Sequence, residues 1–189
     1  MNTHSSITVL LILTSIAFCS AQTVRQGNIS LQAGVGLVPT YFLDGGKNTF
    51  PTMTGMVQYQ VTDIFSIGTS VAYAESTSAQ KSLTDGTSFQ WRSRSTHIGL
   101  RAQVHAAQSD RFDLYGGAQL AYEMPSVQPV VQVFGESALP VSSAKNKLMY
   151  AGFVGATWYP SPKIGFYGEI GFGLSLVNTG IKLQLRRRA

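Results

Sequence analysis

Charge is what this sequence has least of. Only 12% of its 189 residues are Asp, Glu, Lys or Arg, about half of the roughly 25% usual in soluble domains. With 44% hydrophobic residues, the chain is too apolar to belong to the disordered class. Cysteine is nearly absent. Cys19 stands alone, which excludes an internal disulfide and a cysteine-based zinc site. Long apolar runs are missing as well. Ile7–Phe18 is shorter than the roughly 20 residues a transmembrane helix needs, and no later stretch comes closer. This excludes spanning helices but not a barrel, which satisfies its backbone in lipid by closing on itself. The 19 glycines follow no triplet period, so a collagen helix is excluded. The net charge of +5 owes three units to Arg186, Arg187 and Arg188. No helix carries a basic stripe, and nucleic-acid binding is not expected.

The run Ile7–Phe18 is followed by Cys19-Ser20-Ala21 and then Gln22. A short apolar stretch ahead of a small-x-small site is the layout of a secretory leader, here residues 1–21. Its amino end lacks Lys and Arg, offering only the initiator amine and His4. A second reading makes Ile16-Ala17-Phe18-Cys19 a lipoprotein box, though Phe18 is bulky for that position. Residues 22–189 form the mature domain.

What the mature chain has in abundance is alternation. In Ile164–Leu176, Ile164, Phe166, Ile170, Phe172, Leu174 and Leu176 share one parity, and Gly165, Tyr167, Glu169, Gly171, Gly173 and Ser175 the other. Successive side chains of a strand point to opposite faces, so this segment has one greasy face and one small or polar face. The same pattern recurs over Ile29–Leu37, Met53–Val61, Phe65–Tyr73, Ile98–Ala106, Phe112–Tyr122, Leu148–Trp158 and Ile181–Leu185. Eight strands are predicted. Between them, Thr62-Asp63, Gln108-Ser109-Asp110 and Pro160-Ser161-Pro162-Lys163 read as tight turns. Long polar stretches occupy Pro39–Thr52, Ser76–Arg94 and Met124–Lys147, the last with a Val-Val-Gln-Val patch that extends the neighbouring strands or covers the barrel mouth. Val177–Gly180 reads as a short final connection.

The greasy face meets either a protein core or lipid. Residue size separates the two. The polar parity carries Gln32, Gln58, Gln60, His97, Arg101, Gln103, His105, Gln119, Glu169, Lys182 and Gln184, interspersed with Gly, Ala and Ser. A narrow eight-stranded interior requires such small residues, whereas a water-facing surface would favour Lys, Glu and Asp. Aromatics Tyr41, Tyr59, Phe65, Tyr73, Phe112, Tyr122, Trp158 and Phe166 fall near strand ends, where interface girdles form. The expectation is an all-β, eight-stranded, up-and-down antiparallel transmembrane barrel. The alternative is a periplasmic lipocalin-like barrel with an apolar ligand cavity.

The leader, the eight alternating strands, and tight turns on one side against long loops on the other resemble the small OmpA/OmpX-type outer-membrane β-barrels. Strands such as Phe112–Tyr122 and Phe166–Leu176 look like the outer-membrane β-barrel domain common in Gram-negative bacteria. The resemblance covers about Asn28 to Arg188. It implies an outer-membrane location, extracellular long loops, periplasmic turns, insertion by the barrel-assembly machinery, and contact with outer-membrane lipid and lipopolysaccharide as a monomer. One departure concerns the end of the chain: many such proteins end on an aromatic residue, and this one ends Leu185-Arg186-Arg187-Arg188-Ala189.

Candidate chemistry lies in two places. Arg101, His105, Glu123, Glu169 and Lys182 share the inward parity, and charges inside a narrow barrel must pair. They make either an ion or proton path or a structural plug of ion pairs and glutamines. The plug is expected, with Arg101 or Lys182 beside Glu169, because eight strands leave little room for water. Trp91, Arg92 and Arg94, with Val130–Phe134, are candidate loop contacts. Their plainer reading is Trp91 as an interface anchor and the arginines against lipopolysaccharide phosphates. Ser95 and His97 are two apart and could form a hydrolase pair oriented by Glu169 or Glu123. A serine-rich barrel places such neighbours often, and no catalytic residue is expected. Two mature histidines without clustered carboxylates suggest neither metal nor cofactor. The predicted role is structural or surface-interacting, and non-enzymatic; a lipid A-modifying enzyme is the remoter alternative.

Overall fold

A chain that alternates apolar with small polar residues pairs into a sheet with two unlike faces, and register decides which residues share a face. The structure, a computed structural model, describes residues 26–38, 40, 47–78, 81–82, 88–109, 111–132, 145–173 and 175–185. The leader with Cys19, together with Tyr41, Phe134 and Arg186 to Arg188, lies outside the described residues.

The strands are β1 (Ile29–Gly36), β2 (Lys47–Thr62), β3 (Phe65–Thr77), β4 (Lys81–Ser82), β5 (Ser88–Gln108), β6 (Phe112–Gln132), β7 (Lys147–Ser161), β8 (Ile164–Gly171) and β9 (Val177–Leu185). All pairings are antiparallel, and consecutive strands pair except β3 with β4. β1 also pairs with β9, and β3 with β5, so eight strands close into an up-and-down barrel. The two-residue β4 pairs with β5 outside the ring. Closure leaves the ring no free edge to aggregate or to strand unpaired backbone groups in lipid.

The tight turns fall where turn-forming residues predict them. Asp63 anchors one end of the barrel: its carboxylate accepts from the Gln26 backbone at 3.0 Å, and its carbonyl accepts from Gln108 Nε2 at 2.8 Å. Ser109 closes the next turn through reciprocal bonds with Phe112.

Two segments depart from the sequence reading. β5 and β6 run 21 residues each, paired from Ser88↔Gln132 down to Gln108↔Asp113 with one irregularity near His105. Residues expected in long loops, including Trp91, Arg92 and Arg94, are therefore strand. Cross-strand pairs keep stabilising a ribbon beyond the membrane, and the β-branched Val127 favours it. The second departure concerns the last hairpin. β8 ends at Gly171, the chain bends at Phe172, Gly173 and Leu176, and 177–180 is strand instead of connection; Leu174 lies outside the described residues. Ser175 holds this bend: its hydroxyl lies 2.9 and 2.8 Å from the carbonyls of Val38 and Val177, either of which can take its one proton. Alternation reports parity and not pairing, so it ran smoothly through the turn.

Burial assigns the two faces. Along β8, Ile164, Phe166 and Ile170 are exposed, and Gly165, Tyr167 and Glu169 are buried. Ile170 is 65% exposed beside Glu169 at 3%. A core-forming greasy face would give the reverse ranking, so the apolar parity faces outward. The lipocalin-like alternative is excluded by this result, since the interior is polar. Exposed aromatics mark both ends of the outer face. Trp158 stacks on Phe166 near the turns, and Phe50 meets Tyr73 edge-on near the loops, each pair with centroids 6.2 Å apart. Amphipathic rings collect at membrane–water interfaces, which places lipid between the two belts.

Candidate functional site

Every strand of the ring contributes its polar parity to the interior. An eight-stranded barrel has just enough room for side chains, so bulky groups need small residues opposite them. Gly34 provides one such space: a Cβ there would fall on the Tyr167 hydroxyl. Gly155 provides another, where a Cβ would meet Glu169 Cγ at 2.7 Å and Tyr115 Cε2 at 2.9 Å. The glycines of the polar parity thus seat the large buried groups of neighbouring strands.

The interior charges sort into three layers. The middle one is built on Arg101 and Glu169. Arg101 Nη2 donates to Glu169 Oε1 at 2.8 Å, and the Tyr115 hydroxyl donates to the same oxygen at 3.0 Å. The guanidinium also lies over the Phe153 ring, 3.7 Å from its centroid. Both charged groups are almost completely buried, where ionised side chains persist only when paired and hydrogen-bonded. Tyr167, within hydrogen-bond reach of Thr54 at 3.4 Å, extends this layer across the barrel.

Toward the turns lies a second layer. His105 Nδ1 is 2.7 Å from Asp113 Oδ1, and His105 Nε2 is 3.1 Å from Ser66 Oγ. Lys182 Nζ lies 3.7 Å from the other Asp113 oxygen, and Gln184 Nε2 donates to the Tyr159 hydroxyl at 3.0 Å. Toward the loops, Glu123 gathers the third layer. It accepts from Ser95 Oγ at 2.9 Å, lies 3.6 Å from His97 Nε2, and pairs with the exposed Lys147 at 3.1 Å.

Between the middle and loop-end layers is a cavity of ≈ 70 Å³, lined by Thr54, Ser70, His97, Arg101 and Glu169 among others. At roughly 10–15 Å³ per water it has room for about five. Ser70 Oγ and Arg101 Nε have no protein partner at its edge, so water is what their hydrogen-bonding capacity calls for.

The five inward charges read from the sequence are all buried in these layers but do not form one network. Glu169 stands with Arg101; Lys182 belongs with Asp113 and His105, and Glu123 with His97 and Lys147. Sequence reasoning passed over Asp113, Ser66, Tyr115 and Phe153. Asp113 carried a signal, since it shares the parity of Glu123 on the same strand. The Ser95–His97 pair does not form a nucleophile and base. Ser95 bonds the Glu123 carboxylate that stands between it and the imidazole.

Trp91, Arg92 and Arg94 sit on the extended part of β5, beyond the loop-end belt. Arg92 and Arg94 share the outward parity of Ile98 and Leu100, and each contacts Glu75 of β3, at 3.3 and 3.1 Å. The Tyr73 hydroxyl donates to Glu75 at 3.0 Å from below. Trp91 has the opposite, inward parity, so the reading of it as a lipid-interface anchor does not fit its position. The side chains of Val130 and Val131 lie outside what is described. Among the described residues no group of His, Cys, Asp and Glu is placed to hold a metal ion.

Comparison with known proteins places this barrel among others. Residues 8–179 match the model of the outer membrane protein beta-barrel domain. None of the curated proteins compared with the chain matches it. Among solved structures, the outer membrane protein OprG from Pseudomonas aeruginosa is similar at 11% identity and a TM-score of 0.58, over 88% of this chain and 100% of that one. The N-terminal β-barrel domain of Pseudomonas aeruginosa OprF is similar at 12% identity and a TM-score of 0.51, over 85% and 98%. At these identities the likeness concerns the fold alone.

Proposed function

Because the chain belongs to the outer membrane protein beta-barrel domain family, we propose that it is an outer-membrane barrel whose lumen is sealed by its own polar side chains and whose main role is played at its loop end. The observation that carries this reading is the layering of the interior. Three successive sets of ion pairs and hydrogen bonds, on Glu123, on Arg101 with Glu169, and on Asp113, lie across the barrel. Tyr115, Tyr159 and Tyr167, each under 3% exposed, fill the space between them. The ≈ 70 Å³ cavity is bounded by the middle layer and is too small to form a continuous aqueous path.

In this reading residues 1–21 are removed on export, the tight turns face the periplasm, and the long loops are extracellular, as in other barrels with this division of loop lengths. The barrel-assembly machinery inserts the chain, and it works as a monomer. Arg92 and Arg94 project from the outer face just beyond the loop-end aromatics, the level at which lipopolysaccharide phosphates lie. Guanidinium groups match phosphate oxygens in a two-point geometry, and Glu75 holds both arginines ready.

Planar-bilayer recording of the refolded protein tests the sealed lumen. The expected result is a folded, heat-modifiable protein that adds no current steps. Stable ohmic steps from the folded protein would overturn the reading and make the lumen a channel.

A further inference from the structure

The turn-end layer has an arrangement that sealing alone does not require. Asp113 has Lys182 Nζ 3.7 Å from one oxygen, while its other oxygen meets His105 Nδ1 at 2.7 Å. A carboxylate there only accepts, so Nδ1 carries the imidazole proton and Nε2 presents a lone pair. Ser66 Oγ lies 3.1 Å from that nitrogen. Nucleophile, base and orienting carboxylate thus stand in the relation that activates serine in unrelated hydrolases, a constellation recognised by geometry and not by fold. A fourth group completes it. As placed, Gln103, 1% exposed, accepts the Ser66 hydroxyl proton on its Oε1 at 3.3 Å while its Nε2 has no partner. Turned by 180°, the amide brings its unused donor beside Ser66 Oγ and frees the hydroxyl proton for His105 Nε2.

We propose that Ser66, His105 and Asp113 form a nucleophilic triad at the turn-end mouth of the lumen, able to take an acyl group from a small ester. Ser66 is the second residue of β3, directly after the turn at Asp63-Ile64, and the Ile64 carbonyl fixes the His105 backbone at 2.9 Å. The site therefore lies near the rim, and with Ser66 only 2% exposed any ester it takes must be small. Ser66 Oγ attacks the ester carbonyl as its proton passes to His105 Nε2. The new Ser–acyl bond replaces the bond to the leaving oxygen, which departs as an alcohol with that proton. Water then gives a proton to Nε2, attacks the acyl group and releases the carboxylic acid, and the proton returns to Ser66 Oγ.

Diisopropyl fluorophosphate labelling of the folded barrel in detergent, read by peptide mass spectrometry, tests this. Ser109 and Ser161, at neighbouring turns, serve as internal references. The expected result is an adduct on Ser66 forming at least about 100-fold faster than on either reference, with a rate that rises with pH through one ionisation and then levels. Asp113→Asn should slow it by about 10³–10⁴-fold, as loss of the orienting carboxylate does elsewhere. Ser66→Ala should remove the adduct and leave heat-modifiability unchanged. Labelling of wild-type Ser66 no faster than Ser109 or Ser161 would overturn the proposal without any variant. That outcome leaves the sealed lumen standing, because conductance is measured separately.

Discussion

Replacing Glu169 by alanine removes the acceptor shared by two buried donors. Arg101 would remain 7% exposed with its charge unpaired, and the Tyr115 hydroxyl would lose its bond. Breaking a buried pair by deleting one partner costs about 3–5 kcal/mol. The orphaned hydroxyl adds part of a further ~1–3 kcal/mol, which is not additive because both donors share one oxygen. Two features offset the loss. The guanidinium keeps the Phe153 ring, a contact that reaches roughly 2 kcal/mol when desolvated, and the adjoining cavity admits water to it. The expected net cost is about 3–5 kcal/mol, measured by urea unfolding in lipid vesicles with Trp158 and Trp91 fluorescence. The double variant Arg101→Met/Glu169→Leu, which replaces both charges by apolar groups of similar volume, should return to within about 1 kcal/mol of the wild type. A Glu169→Ala cost below about 1 kcal/mol would mean that the pair is solvated, and would refute the packed interior.

The same unfolding assay checks two further expectations. Gly34→Ala should cost about 1–3 kcal/mol by overpacking against Tyr167, whereas Gly168→Ala, where a Cβ meets nothing within 4 Å, should stay within about 0.5 kcal/mol; equal effects would contradict the fitting of glycine to bulky neighbour. On the outer face, Leu100→Arg, halfway between the belts, should cost about 2–4 kcal/mol, and Ile29→Arg, at the turn-end belt, about 0–1 kcal/mol. A cost independent of depth would remove the lipid from that face.

How much of this was legible in the sequence depends on what alternation can encode. Parity placed Arg101, His105, Glu123, Glu169 and Lys182 on one face, because a strand's two-residue period leaves no other choice. It set the tight turns at Asp63, Ser109 and Pro162, where turn-forming residues interrupt the pattern. It did not locate the ends of β5 and β6, whose alternation weakens beyond the membrane while their pairing continues. Nor did it reveal that β8 stops at Gly171, since Ser175 satisfies both the alternating pattern and a backbone stitched to Val38. Depth along the barrel was equally hidden. Which inward charges meet depends on strand tilt and stagger, and these join His105 to Asp113 and Lys182 across three strands. Gly155 and Gly34 looked merely small; only the packing shows which large group each one seats.

The central claim is that the two parities of β8 face different surroundings, lipid outside and packed polar side chains inside. Nitroxide labels at each position from 164 to 171, in the cysteine-free chain 22–189 reconstituted in lipid, test it directly. Collision with lipid-dissolved oxygen should peak at Ile164, Phe166, Gly168 and Ile170 and fall at Gly165, Tyr167 and Glu169. The opposite phase, or no alternation, would contradict it.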